Sequence, residues 1–383
     1  MKHLKYDMQA VMDGTRKPRP PIAVLLFMLS KVYHGVVFAR NRLYDRRIMP
    51  IRKLPCRVVS IGNICVGGTG KTPMTVYTAR LLKAMGCTVS VISRGYKGKA
   101  EKAGGIVSDG ESVLMDAAHA GDEPRMMAGM LKGVPVIIGS DRYAAGMKAV
   151  SDFGAEILVL DDGFQHRRVF RDADLVLLDY RRPFGNSRLL PRGRLREPVE
   201  AMARSHGIVA TRCGGEGIQT MREHFARQRV PRDKPWFFAR HEVFIDRYVD
   251  EWEPAGAGLI TARHDSPASG RIRDLKLLRQ KRVFGFSAIA DNRGFFETLC
   301  RCSGEVVGFS GFPDHYRYRK SDVDAIIRAA GEKNAGIIVT TRKDAVKLLP
   351  GMAWPIPCAV LGLNIVMANE DEFAAFLKER IGK

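Results

Sequence analysis

At 383 residues, 45% hydrophobic and 27% charged, the chain is long enough for two domains with separate cores, which excludes a disordered chain and a small cross-linked scaffold. Its 62 Lys and Arg against 41 Asp and Glu give a formal charge of +21, so the surface attracts polyanions, and charge alone does not choose between nucleic acid and anionic lipid. Seven cysteines, an odd number in a chain too large to need stapling, read as reduced thiols.

The first feature along the chain is residues 22–38, IAVLLFMLSKVYHGVVF, an apolar stretch interrupted by Lys31 and His34 and closed by Arg40, Arg42, Arg46 and Arg47. It falls short of the roughly 20 apolar residues of a spanning helix, and no small-residue cleavage site follows as in a signal peptide. A buried amphipathic helix is one reading. Arginines on both flanks favour the other, a membrane-associating helix within an N-terminal segment 1–49 that meets acyl chains and lipid phosphates together.

From residue 50 the chain settles into short β-branched runs separated by helix-like stretches: 58–61, 88–92, 134–138, 157–160, 175–178 and 207–210. Continuous rather than alternating hydrophobicity marks strands buried on both faces, so residues 50–235 are expected to form a doubly wound parallel α/β domain. A charged, proline-bearing join at 228–235 leads into a smaller α/β domain, 236–383, with runs at 282–286, 305–309, 336–340 and 359–363.

The run 58–61 leads into Gly62-Asn63-Ile64-Cys65-Val66-Gly67-Gly68-Thr69-Gly70-Lys71-Thr72, and a helical stretch follows. Strand, glycine loop and helix in that order make a phosphate site. The loop N–H groups of Gly67, Gly68, Thr69 and Gly70 curl around phosphate oxygens, Lys71 reaches the β- and γ-phosphates of ATP, and the Thr72 hydroxyl ligates Mg²⁺. The strict pattern has glycine where this chain has Cys65, and Gly67 supplies the flexibility instead.

The run 157–160 ends in Asp161-Asp162-Gly163-Phe164-Gln165-His166, and two adjacent carboxylates at a strand end call for a cation. Gly121-Asp122-Glu123-Pro124 precedes a helical stretch, where its acids could simply cap the helix, and His315 taken alone reads as a structural histidine.

Together with Ser93-Arg94-Gly95-Tyr96, Asp141-Arg142, Gly193-Arg194-Leu195-Arg196-Glu197-Pro198, Phe312-Pro313-Asp314-His315 and Thr340-Thr341 followed by Lys343-Asp344-Ala345, these motifs resemble the tetraacyldisaccharide 4′-kinase (lipid A 4′-kinase) family, in the family's order. The resemblance implies a phosphate-loop kinase using ATP and Mg²⁺ to phosphorylate the 4′-hydroxyl of tetraacyldisaccharide 1-phosphate at the cytoplasmic face of the bacterial inner membrane. Neither nucleic acid nor an obligatory protein partner is implied. Asp122 would be the base and His315, brought from the second domain by closure, its partner. Glu123, Asp161 and Asp162 would serve Mg²⁺, Arg142 or His166 would add charge at phosphates or substrate, and Tyr96, Arg196 and Glu197 would lie toward the sugar. Arg342 in place of the more usual glutamate, and Tyr316 in place of a second histidine, are departures outside the assigned chemistry. The competing reading is a soluble phosphate-loop NTPase that binds nucleic acid; it explains the charge and the loop but neither the apolar segment nor the order of the motifs.

Overall fold

In the computed structural model, which describes residues 8, 10–228, 230–251, 275–348 and 353–382, the apolar N-terminal stretch is the centre of a long helix, α1 (Pro20–Asp45). Pro20 and Pro21 open it, where an N–H would have no intrahelical partner anyway. Leu26, Val37 and Tyr44 are buried, while Ser30 Oγ donates to the Leu189 carbonyl at 3.1 Å and Tyr33 Oη to the Arg196 carbonyl at 2.9 Å. These positions recur every three or four residues, so one stripe of the helix is attached. The other faces are apolar and bare: Val32 and Val36 are 67% and 64% exposed. The helix is long and apolar enough to cross a membrane.

The chain forms two compact units. The first contains Met1–Ser93, Asp141–His241 and Ile365–Lys383; the second contains Arg94–Ser140 and Glu242–Asn364. This differs from a cut at residue 235. The boundary falls inside two long strands, β8 (Trp236–Glu251) and β12 (Ala353–Met367), so no turn-rich linker marks it.

In the first unit, β1 (Arg57–Asn63) runs into helix α2 (Lys71–Ala84) and β2 (Val89–Ser93). Within the second lie β3 (Gly105–Ser108), helix α3 (Asp122–Met130) and β4 (Val136–Ile138). Returning to the first unit, the chain adds α4 (Arg142–Phe153), β5 (Ile157–Asp161), β6 (Ala173–Asp179), β7 (Gly207–Thr211) and α5 (Ile218–Ala226). Strand β1 pairs in parallel with both β5 and β6; β5 pairs with β2, and β7 joins β6 to the start of β8, all in parallel. Residues of β2, β5 and β7 are buried throughout, which is why their sequences are apolar without alternation. The run at 134–138 forms β4, which pairs antiparallel with β3, a four-residue strand between glycine-rich turns that gives no signal of its own.

The second unit continues with β9 (Arg282–Ser287), α6 (Asn292–Cys302), β10 (Glu305–Gly311), α7 (Lys320–Glu332), β11 (Ile337–Thr341) and the single-turn helix α8 (Arg342–Ala345). Its strands β10, β9, β11 and β12 are parallel neighbours in that order. Phe284, Phe286, Ile338, Trp354 and Val360 form one of its cores. The last helix, α9 (Glu370–Ile381), belongs to the first unit.

Candidate active site

The loop after β1 is held from behind. Asn63 Nδ2 donates to Thr69 Oγ1 at 2.8 Å, and Thr211 Oγ1, at the end of β7, donates to the Thr69 carbonyl at 2.8 Å. Gly67 and Gly70 have φ of +113° and +84°, conformations that favour glycine. At Gly70 there is also no room: a Cβ would lie 2.7 Å from Nε2 of His241. Helix α2 then starts at Lys71 with no acidic residue in its first turn, so its N-terminal N–H groups and partial positive charge suit an anion.

The two carboxylates at the end of β5 are each engaged, and differently. Asp161 is buried and accepts from Thr75 Oγ1 at 3.1 Å and Ser93 Oγ at 3.2 Å. Asp162, in the left-handed region at φ +50°, receives Arg196 Nη1 at 3.0 and 2.9 Å on its two oxygens and lies 3.7 Å from Lys71 Nζ. Burial pushes its carboxyl up, but Lys71 and Arg196 outweigh that and hold it below the usual range. Cations thus stand where the adjacent acids require them. Arg142, buried at the start of α4 behind its capping residue Asp141, adds to the positive field at Asp162. Among the described residues no group of three or more His, Cys, Asp or Glu forms a metal cage. The hydroxyl of Thr72, in the first turn of α2, and the carboxylates Asp161 and Asp162 nonetheless fit Mg²⁺, which keeps waters and phosphate oxygens as most of its ligands.

Burial, then Arg142 and Arg171, push the His166 imidazole down to about 4. Glu197 is fully buried, with Arg204 donating to both its oxygens at 2.8 Å and Asn41 of α1 donating at 2.8 Å. Its work is to bind α1 to the unit. Glu197→Ala is expected to destabilise the protein by roughly 3 kcal/mol, since it strands the Arg204 charge. A lower urea midpoint in the intact chain would register this; an unchanged midpoint would mean the network contributes nothing.

In the second unit the acidic turn and the distant histidine meet. Asp122 opens α3 after Gly121, and the carboxylate turns to His315, whose Nδ1 is 2.9 Å from Asp122 Oδ2. Both residues belong to the same compact unit, so the pair needs no domain closure to form. Burial pushes the Asp122 carboxyl up, and the His315 hydrogen bond with the Lys347 and Lys343 charges more than reverses this, leaving it lowered. His315 is in the left-handed region at φ +63°, an uncommon and costly conformation for a non-glycine residue. Tyr96, 51% exposed, sets its ring edge-on to the imidazole at 5.7 Å. Glu123, expected near a metal, is ion-paired to Lys343 at 2.6 Å. Lys343 was visible only as part of a motif, and His241 belongs to no motif at all.

The first unit, with its glycine loop between the central strand and α2, defines a phosphate-loop nucleotide-binding fold. The second unit adds a carboxylate–histidine pair, Asp122 and His315, beside the exposed ring of Tyr96. The chain belongs to the tetraacyldisaccharide-1-P 4′-kinase family, whose pattern it matches over residues 22–382. It is 42% identical over 366 residues to the tetraacyldisaccharide 4′-kinase of Syntrophus aciditrophicus, covering 96% of this chain and 95% of that one. The enzyme of the same description from Desulfatibacillum aliphaticivorans is 36% identical over 384 residues, covering 100% and 99%. Among solved structures, LpxK from Aquifex aeolicus in complex with ATP superposes with a TM-score of 0.70 at 30% identity, covering 94% of this chain and 99% of that chain. Its activity is therefore 4′-phosphorylation of the lipid disaccharide in lipid A biosynthesis.

Proposed function

We propose that the first unit holds ATP and the second activates the acceptor hydroxyl, with Asp122 as the base. The loop N–H groups from Gly67 to Gly70 and the Lys71 ammonium bind the β- and γ-phosphates and take up the charge that shifts onto the leaving oxygen. The Thr72 hydroxyl with Asp161 and Asp162 would hold Mg²⁺, which would neutralise charge on the phosphate oxygens. The 4′-oxygen attacks the γ-phosphorus as the bond to the β–γ bridging oxygen breaks, ADP leaves, and the hydroxyl proton passes to Asp122. His315 keeps that carboxylate aimed and ionised. Tyr96 supplies a stacking face for the sugar, and Arg142 and Arg196 keep the field around the phosphates positive.

This reading rests on the 2.9 Å contact between Asp122 and His315, because a structural acid at a helix start has no need of a strained histidine 193 residues away. Its test is transfer from γ-labelled ATP to tetraacyldisaccharide 1-phosphate in mixed micelles, with the phosphate position read by NMR. Label at the 4′-oxygen is expected; label elsewhere, or none from a folded ATP-binding protein, would contradict it.

The same proposal places the enzyme at the cytoplasmic face of the bacterial inner membrane. The bare apolar faces of α1 and the +21 charge support an anchor that combines acyl-chain burial with attraction to anionic lipid. Val32→Glu with Val36→Glu is expected to weaken binding to phosphatidylglycerol vesicles on the order of a hundredfold, two buried valines contributing about 1.5 kcal/mol each or more. Undiminished vesicle binding would leave charge as the sole anchor.

A further inference from the structure

Beyond the charge that Lys343 lends to Asp122, the segment Thr340-Thr341-Arg342-Lys343-Asp344 takes no part in the roles above, yet it is firmly anchored in its unit. Asp344 is fully buried, and its carboxylate accepts from Ala288 N at 2.9 Å, Tyr318 Oη at 3.1 Å and Thr341 Oγ1 at 2.6 Å, with Lys347 Nζ 2.8 Å away. Thr341 Oγ1 in turn caps α8 by accepting from Asp344 N at 3.1 Å. A helix of one turn is thereby fixed at both ends of its motif.

What this anchoring aims is Lys343. Its side chain is only 17% exposed, and Nζ lies 2.6 Å from Glu123 Oε1 and 3.1 Å from Asp314 Oδ1. Glu123 follows Asp122 on α3, and Asp314 precedes His315 in the opposite loop. The lysine thus ties together the chain neighbours of both members of the pair. A small ammonium with three donors can serve two carboxylates at once, and the strained φ of +63° at His315 needs an outside restraint to persist.

We propose that Lys343 is a positioning residue which, through Glu123 and Asp314, holds Asp122 and His315 in register. The proposal rests on the reading of that pair as the base. A misplacement of the order of an ångström is enough to cost a large factor in rate without loss of the fold.

The test is a double-mutant cycle on the full chain. Lys343→Met should lower kcat on the order of tenfold to a hundredfold and leave the KM for ATP unchanged. In a His315→Ala background, where there is no pair left to position and only the Lys343 charge at Asp122 is removed, the same substitution should cost much less. Asp314→Asn, which cuts one arm and is gentler on folding, should show a smaller loss that also disappears with His315→Ala. A wild-type kcat in Lys343→Met, or equal losses in both backgrounds, would overturn the staple and make Lys343 merely structural. Full turnover in His315→Ala alone would instead sink the base assignment, so the two failures are distinguishable.

Discussion

Lys71→Ala is expected to reduce phosphate transfer by about a hundred- to a thousandfold, the effect of removing one preorganised positive group from the charge developing on a phosphoryl group. Lys71 is the first residue of α2, after a glycine whose φ of +84° turns the chain into the helix, and its ammonium is 3.7 Å from Asp162. Arginine is not expected to restore the rate, because its planar fork is larger and its charge is spread. The Asp122 pair, in the other unit, remains as it was, so the loss should appear in turnover and nucleotide affinity with the fold unchanged. Near-normal turnover in Lys71→Ala would mean that the loop amides alone hold the phosphates.

The second large effect is at Asp122. Asparagine keeps the shape and one hydrogen-bonding oxygen for His315 but cannot take a proton, so Asp122→Asn should lower kcat by about a hundred- to ten-thousandfold, the range of general base catalysis. Nucleotide affinity should be unaltered, since Asp122 belongs to the second unit and the glycine loop to the first. A variant that turned over near the wild-type rate would show that the hydroxyl loses its proton elsewhere.

Much of this was legible in the sequence because it is local. Strand 157–160 and its two terminal acids are one continuous apolar run followed by charge, and the loop at 62–72 carries its chemistry in consecutive residues. Strands β8 and β12 were harder to see. Trp236–Glu251 mixes Arg240, His241, Glu242, Asp246 and Arg247 with its apolar residues, so neither continuous nor alternating hydrophobicity announces a long strand. The two-unit division escaped for the same reason, because it falls inside these strands and not at the proline-bearing join.

At the site, burial was what sequence could not supply. Glu197 sits in a motif and looks available, yet α1 returns Asn41 to it and Arg204 closes over it. His166 carries a titratable ring, but it is half-buried with Arg142 and Arg171 close by, which no run of sequence announces. Lys343 and Glu123 are separated by 220 positions in the chain, and nothing in either motif says that one neutralises the other. Pairings over such distances follow from topology.

The most direct test of the division of labour is to measure equilibrium MgATP binding and multiple-turnover phosphate transfer on the same preparations of wild type, Asp122→Asn and Lys71→Ala. Asp122→Asn is expected to bind MgATP as wild type does while transfer collapses, and Lys71→Ala to lose both. Loss of MgATP binding in Asp122→Asn, or transfer that survives it, would contradict the assignment of proton removal to the Asp122–His315 pair.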